Sequence, residues 1–209
     1  MKLTTTAFTD MARIPDEYAF AVIDPTAHVR LAANRNPDFR WQDVPTGTRS
    51  LALICHDPDV PSRGDDVNKE GRTVPSSLPR VDFFHWVLID LPASSTSIER
   101  GAHSNGVVGR GKPGPDAPDG ARHGINDYTG WFANDKDMAG DYFGYDGPCP
   151  PWNDELVHRY VFTLFALDVP RLDVEGKFSG NEVRHAMRGH VLAEAKVTGR
   201  YSLNPSVRL

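Results

Sequence analysis

Residues 160–167, YVFTLFAL, form an apolar run in which both alternating sets of side chains are hydrophobic except for Thr163. Successive side chains of an extended strand point to opposite faces of a sheet. A run that is apolar on both sets is therefore typical of a strand buried on both faces. This segment predicts a strand at the centre of a layered β-sheet.

Three further apolar runs have the composition of strands, since each is short, rich in Phe, Val, Ile or Leu, and bounded by Pro, Asp or Gly. They are residues 18–23, 50–55 and 83–89. No regular alternation of strands and helices accompanies them, which disfavours a doubly wound α/β fold. The 18 Gly and 17 Pro also favour short strands joined by loops, because they form about 17% of the chain against ~12% in average proteins. We predict a mainly β fold in a single domain over residues 1–209.

One helix is indicated near the C-terminus. Ser179 and Glu182 are spaced as a capping box, in which each side chain bonds the other residue's backbone N–H. Helical spacing continues at Val183, Met187, His190, Val191 and Glu194. With Gly199 as its C-terminal glycine, we predict a helix at about 180–197.

The composition excludes several classes of protein. The 23 Lys and Arg and 28 Asp and Glu give a formal net charge of −5, so the chain lacks the basic surface that nucleic-acid binding requires. It has no apolar run near the ~18 residues of a transmembrane segment, and its first residues do not have the apolar region of a secretory signal. We therefore expect a cytoplasmic protein in which Cys55 and Cys149 are reduced.

A polar insertion covers residues 62–82. It contains four basic and four acidic residues and few apolar ones. We expect a solvated segment that could be shortened without loss of the fold, because loop-closure entropy changes slowly with length.

Residues 109–114 match a dinucleotide-binding fingerprint, GxGxxG. That motif requires a helix directly after it, whose N-terminus holds the pyrophosphate. Pro113, Pro115 and Pro118 make such a helix improbable, so we do not predict nucleotide binding.

Titratable side chains cluster where the predicted strands begin or end. Each has an ordinary structural explanation when taken alone: Asp-Pro-Asp sequences form turns, and a histidine in an apolar strand is usually a buried one. The cluster comprises Asp57, Asp59, His85, the loop 147–151, His158 and Tyr160.

Together these motifs resemble the phosphatidylethanolamine-binding protein family, and in particular its bacterial branch, the Raf kinase inhibitor-like proteins. The carrying residues are Asp57-Pro58-Asp59-x-Pro61, His85-Trp86, Gly147-Pro148-Cys149-Pro150-Pro151 and His158-Arg159-Tyr160-x-Phe162. The resemblance spans roughly residues 18 to 202. It implies a two-sheet β-sandwich with peripheral helices and a small pocket for phosphate or a phospholipid head group. By motif matching, the pocket residues would be Asp57, Asp59, His85, Gly147, Cys149, Pro150, His158 and Tyr160. The 62–82 insertion would lie beside the pocket mouth.

The chemistry of these residue types suits an anion. Imidazoles, a phenol and loop amides can all donate hydrogen bonds to phosphate oxygens. A neighbouring carboxylate orients a histidine and favours its protonated form. We therefore expect a protonated His85 or His158, supported by Asp57, to donate to the anion.

The expected function is non-enzymatic binding of a small anionic ligand, without a cofactor. Family analogy alone adds the regulation or inhibition of a protein partner and assembly into a homodimer. The alternative is a metal-dependent enzyme, since Asp57, Asp59, His85 and His158 are residue types that hold zinc or iron. A third class, hydrolysis by Cys149 beside His158, is disfavoured because no helix N-terminus is expected there to lower the thiol pKa.

Overall fold

The computed structural model describes residues 1–208, which form ten β-strands and two short α-helices. The strands are β1 (Lys2–Thr4), β2 (Ala21–Asp24), β3 (His28–Leu31), β4 (Phe39–Gln42), β5 (Ser50–Pro61), β6 (Arg80–Pro92), β7 (Ser97–Ile98), β8 (Arg122–His123), β9 (His158–Leu167) and β10 (Val191–Tyr201), and the helices are α1 (Tyr128–Trp131) and α2 (Gly180–Ala186). Single 3-10 turns lie at Asp16–Tyr18 and Pro118–Gly120. The longest helix of residues 1–208 has seven residues, and no helix in this range is long and apolar enough to cross a lipid bilayer.

The strands form three sheets. The largest has the order β10-β9-β5-β6-β8, a second has the order β1-β4-β7, and β2 and β3 form a separate hairpin. The paired strands of all three sheets are antiparallel. The predicted mainly β sandwich is confirmed, with the β2–β3 hairpin as an addition to the expected two sheets.

The large sheet is covered on both faces because its inner strands alternate between two cores. In β5, Leu51, Leu53 and Cys55 belong to the core shared with the three-stranded sheet. Ala52 and Ile54 belong to a second core on the opposite face, where α2 packs. β9 is an inner strand as predicted, although Val161 and Phe165 on its second face are only partly buried.

The predicted helix at 180–197 begins correctly and ends too late. The capping box is present, with the Glu182 N–H donating to Ser179 Oγ and the Ser179 N–H donating to Glu182 Oε2. The helix ends at Ala186, and residues 191–201 form β10 instead, paired along its length with β9. Gly199 is a strand residue, at which an added Cβ would lie 2.3 Å from the Ile14 side chain.

The 62–82 segment is held to the rest of the fold by a buried side chain and by hydrogen bonds with Asn153, which a fully solvated insertion would not make. Its last residues begin β6, and Val74 is only 1% exposed. The Val74 N–H donates to the Asn153 carbonyl, and the Asn153 side-chain amide donates to the carbonyls of Asp66 and Arg72. Shortening this segment would therefore remove a buried side chain and several partly buried hydrogen bonds.

Candidate functional site

A cavity of about 410 Å³ is lined by the ends of β5, β6 and β9, the β2–β3 hairpin, α1 and the loop 147–151. Its volume lies within the range of small-molecule sites, ~300–1,000 Å³. Much of its lining is apolar or aromatic, including Phe20, Leu31, Phe83, Tyr128, Trp131 and Phe132. A few polar side chains converge on it, which is the usual composition of a ligand pocket.

The structure brings six of the eight predicted site residues to this cavity: Asp57, His85, Cys149, Pro150, His158 and Tyr160. Asp59 and Gly147 are outside the lining. The register of β5 against β6 shifts after Asp57, and the Asp59 carboxylate instead pairs with Arg159, accepting bonds of 2.9 and 2.7 Å from its Nε and Nη2. The Gly147 N–H donates to Asn34 Oδ1 at 2.8 Å, so it is not available to an anion.

His158 is fully buried between two carboxylates. Its Nδ1 lies 2.6 Å from Asp57 Oδ2, and its Nε2 lies 3.1 Å from Asp154 Oδ2. Burial disfavours the charged ring, but Asp57 and Asp154 outweigh it and raise the pKa of His158 to about 9. His158 is therefore an imidazolium at neutral pH. Both of its N–H groups are bonded to carboxylates, so neither is free to donate to an anion as the sequence led us to expect.

The charges around His158 are balanced. Asp154 accepts from Arg80 through both oxygens, at 2.5 and 3.0 Å. The carboxylates of Asp57 and Asp154 are thus matched by His158 and Arg80. Arg30, an exposed residue of β3, is the only Lys or Arg among the lining residues of the described chain.

His85 differs from His158 in its protonation. Its Nδ1 donates to the Asp146 carbonyl at 2.8 Å. Burial lowers the pKa of His85 to about 4, despite the opposing effect of Asp57. The ring is therefore neutral at physiological pH, with its proton on Nδ1 and a lone pair on Nε2.

Tyr160 lies against His85, with ring centroids 5.0 Å apart in an edge-to-face arrangement. Its side chain is 1% exposed, and its hydroxyl has no hydrogen-bond partner within the described residues. An unpaired buried hydroxyl costs about 1–3 kcal/mol, and Tyr160 is a lining residue of the cavity, so a ligand oxygen is a candidate partner for its hydroxyl.

Only one backbone N–H of the loop 147–151 remains free to donate to an anion. Residues 148, 150 and 151 are prolines and have no N–H, and the Gly147 N–H is already bonded. Within residues 1–208, the Cys149 N–H donates no hydrogen bond. Burial raises the pKa of the Cys149 thiol to about 12.

Two acidic residues of the site are absent from the sequence-based set. Asp154 holds His158, and Asp146 holds His85 through its backbone: its carbonyl accepts from His85 Nδ1 and its N–H donates to the His85 carbonyl. The buried Asp146 carboxylate is itself fixed by side chains 2.6–2.8 Å away, those of Asn34, Lys112 and Asn126. Asp154 lies in the loop before β9, and its distance of four residues from His158 predicts no contact, because that spacing brings side chains together only on a helix. Asp146 directly precedes the glycine–proline loop, but nothing in the sequence links it to His85.

The structure gives no support to the metal-dependent alternative. Across residues 1–208, no three His, Cys, Asp or Glu side chains are grouped so that they could hold a metal ion. Both nitrogens of His158 and one of His85 are already hydrogen-bonded.

Comparisons with known proteins agree on one family. The family model described as phosphatidylethanolamine-binding protein matches residues 4–202. A UPF0098 protein of Methanothermobacter thermautotrophicus is 36% identical, covering 96% of this chain and 98% of the relative. The UPF0098 protein YbhB of Escherichia coli is 30% identical, covering 97% of this chain and all of the relative.

Solved structures show the same fold. Escherichia coli YbcL, described as a new member of the mammalian PEBP family, aligns with a TM-score of 0.69 and 24% identity over 96% of this chain and 97% of its own. The putative PEBP homolog CT736 of Chlamydia trachomatis aligns with a TM-score of 0.64 and 27% identity over 96% of each chain.

Proposed function

Because the chain belongs to the phosphatidylethanolamine-binding protein family, we propose that it is a binding protein whose cavity takes a small ligand carrying a phosphate group. A phosphate ester, a phospholipid head group and phosphate itself share this chemistry. The observation that carries the proposal is the buried, unpartnered hydroxyl of Tyr160, a residue that lines the cavity. A phosphate oxygen is a strong acceptor for such a donor.

Other groups of the cavity complement a phosphate group. The Cys149 N–H offers a second donor, and Arg30 places a positive charge at an exposed part of the lining. The apolar walls suit the organic part of an ester or lipid. Phosphate would thus be held mainly by neutral hydrogen-bonding groups, since the buried cations Arg80 and His158 are paired with carboxylates.

We propose binding and not catalysis because the surroundings of Cys149 and His158 inactivate both groups. A thiol with a pKa of about 12 is not a nucleophile at neutral pH. His158, with both ring nitrogens bonded to carboxylates, cannot act as a general base. Regulation of a protein partner and assembly into a homodimer are extensions of this proposal that rest on family membership.

The test is calorimetric titration with O-phosphoethanolamine and with inorganic phosphate. Tyr160→Phe should weaken binding at least about tenfold, because a hydrogen bond to a charged group contributes ~1.5–3 kcal/mol. Tyr145→Phe is the matched control, since the Tyr145 hydroxyl donates to the Tyr18 carbonyl outside the cavity lining. Absence of binding in the wild type, or equal affinity of wild type and Tyr160→Phe, would overturn the proposal.

A further inference from the structure

Strand β10 is one edge of the large sheet, and part of that edge is uncovered. Its inner side pairs with β9 along the whole strand. On its outer side, the segment 10–14 covers the last residues, where the Met11 N–H donates to the Thr198 carbonyl. No strand within residues 1–208 covers the outer side of residues 193–197, which we call the open strip. An uncovered edge of this kind is a template for pairing with another strand.

The backbone groups that face outward in the open strip belong to Glu194 and Lys196. In an antiparallel strand the N–H and C=O of one residue point to the same side, and those of the next residue point to the opposite side. Both groups of Thr198 bond the segment 10–14, so they face outward. Because the register with β9 is unbroken from Ala193 to Tyr201, the groups of the residues two and four positions earlier face outward as well. Among the described residues, these outward N–H and C=O groups have no hydrogen-bond partner.

The charges of the open strip are complementary to themselves. Glu194 and Lys196 are exposed on the same face of β10, with 2.9 Å between Oε1 and Nζ. When the strip pairs antiparallel with that of a second copy about a twofold axis at Ala195, Glu194 of each chain lies opposite Lys196 of the other. Each of these pairs then exchanges both of its backbone N–H···O bonds, because the groups face outward. On the axis, the small side chain of Ala195 permits the ~4.5 Å Cα separation of a non-hydrogen-bonded pair.

Exposed apolar side chains lie at both ends of the open strip. Val191 and Leu192, directly before it, are 42% and 43% exposed, and Met11, which is bonded beside its far end, is 46% exposed. Antiparallel pairing brings the start of one strip to the end of the other. Val191 and Leu192 of each chain would therefore approach Met11 of the other, and their burial would favour association.

We propose that two copies of this chain associate through the open strips of their β10 strands, so that one antiparallel sheet runs through both subunits. An isologous interface of this kind brings the same two residues together twice, which is what the spacing of Glu194 and Lys196 provides. A second copy is therefore a better occupant than a strand of another protein. The inference gives a specific interface to the homodimer that otherwise rests on family membership. It does not depend on ligand binding, because no residue of β10 lines the cavity.

The experiment is sedimentation velocity of the ligand-free protein from micromolar concentrations to about 1 mM, combined with amide hydrogen exchange at both ends of that range. The fraction of dimer should rise with concentration. Exchange of the Glu194 and Lys196 amides should slow by about tenfold when nine chains in ten are paired. The amides of Ala195 and Val197 face β9 in either state, so their exchange is the internal reference.

Charge reversal tests the pairing of the two strips. Glu194→Lys and Lys196→Glu each place like charges opposite one another, so each variant alone should dimerise at least about tenfold more weakly than the wild type. An equal mixture of the two variants restores opposite charges in both pairs and should form a mixed dimer. Glu175→Lys is the matched control, because Glu175 is exposed beside Arg122 at the opposite edge of the large sheet. Thermal melts verify that every variant is folded.

A wild type that stays monomeric at 1 mM would overturn the inference. A dimer in which the Glu194 and Lys196 amides exchange at the rate of the monomer would also overturn it, as would charge variants that dimerise like the wild type. Each of these results would leave the proposed ligand binding intact, because that is measured by titration of the cavity.

Discussion

His158 is joined to Asp57 by a fully buried ion pair, with 2.6 Å between Nδ1 and Oδ2. Asp154 holds the other ring nitrogen, so the cation is fixed within the protein and cannot turn toward a ligand. The two histidines of the cavity therefore have different roles. His158 is part of the framework, and His85 presents the open nitrogen.

The first prediction concerns stability at alkaline pH. The pKa of His158 is raised from 6.5 to about 9 on folding, so the folded state binds a proton that the unfolded state releases. The resulting stabilisation is fully present below pH ~6.5 and is lost as the pH rises through about 9, with a total of roughly 3 kcal/mol. Urea unfolding at a series of pH values between 6 and 10 measures this loss.

Asp57→Asn should move that loss to lower pH, because the amide no longer favours the imidazolium. Asp168→Asn, which removes the partner of the exposed His190, is the control and should leave the alkaline profile of the wild type unchanged. An Asp57→Asn profile that coincides with the wild type would show that the pair does not control the protonation of His158.

The second prediction separates binding from stability at two buried tyrosines. Tyr160→Phe removes an unpartnered hydroxyl and should leave the free energy of unfolding unchanged or higher. Tyr145→Phe leaves the buried Tyr18 carbonyl without its 2.6 Å donor and should cost about 1–3 kcal/mol. Denaturant unfolding measures both, and a large loss of stability in Tyr160→Phe would mean that its hydroxyl has a structural partner.

The third prediction concerns the segment 62–79 between β5 and β6. Asn153 receives the Asn68 N–H at its side-chain oxygen and donates to carbonyls of the segment. Asn153→Ala should therefore increase hydrogen exchange in residues 62–79. Affinity for phenyl phosphate should also fall, because Gly64, Val67 and Asn68 line the cavity.

Asn105→Ala is a suitable control for that variant, since the Asn105 side-chain oxygen accepts from Nε of the half-buried Arg35, which is outside the segment. Exchange in 62–79 that is the same in Asn153→Ala and in the wild type would contradict the role assigned to Asn153.

The fourth prediction concerns the two thiols. Cys55 is buried, and burial raises the pKa of Cys149 to about 12. Iodoacetamide should therefore label neither residue rapidly at pH 8 in the native protein, because the thiolate is the reactive form. Two labels should appear once the chain is unfolded without a reductant, as measured by mass spectrometry. Fast native labelling of Cys149 would contradict its raised pKa and reopen a nucleophilic role.

The resemblance of four ordered motifs to one family predicted a common pocket, and six of its eight predicted residues lie in the lining of one cavity. The Asp-Pro-Asp, His-Trp and His-Arg-Tyr motifs lie within β5, β6 and β9, which are adjacent in the large sheet, so Asp57, His85, His158 and Tyr160 meet at one cavity. The motifs could not tell which histidine is charged. That depends on Asp154 and Asp146, whose contacts with the histidines are set by the folding of long loops.

The predicted C-terminal end of α2 was wrong because a helical and a strand periodicity overlap in the sequence. Residues 183–194 fit a helical spacing, while residues 193–201 also alternate as a strand, with Val197, Gly199 and Tyr201 buried. Pairing with β9 decides between them, and this contact joins residues far apart in the chain. Gly189, with a φ of +81°, stands where the helix has ended and the strand is about to begin.

The most direct test of the central claim is the crystal structure of the complex with phenyl phosphate at pH 6. The account predicts the phosphate group between His85 and Tyr160, with ligand oxygens within about 3.2 Å of His85 Nε2 and the Tyr160 hydroxyl. The phenyl ring should contact the apolar walls of the cavity. A phosphate group bound only at Arg30, with the Tyr160 hydroxyl still unpartnered, would contradict it.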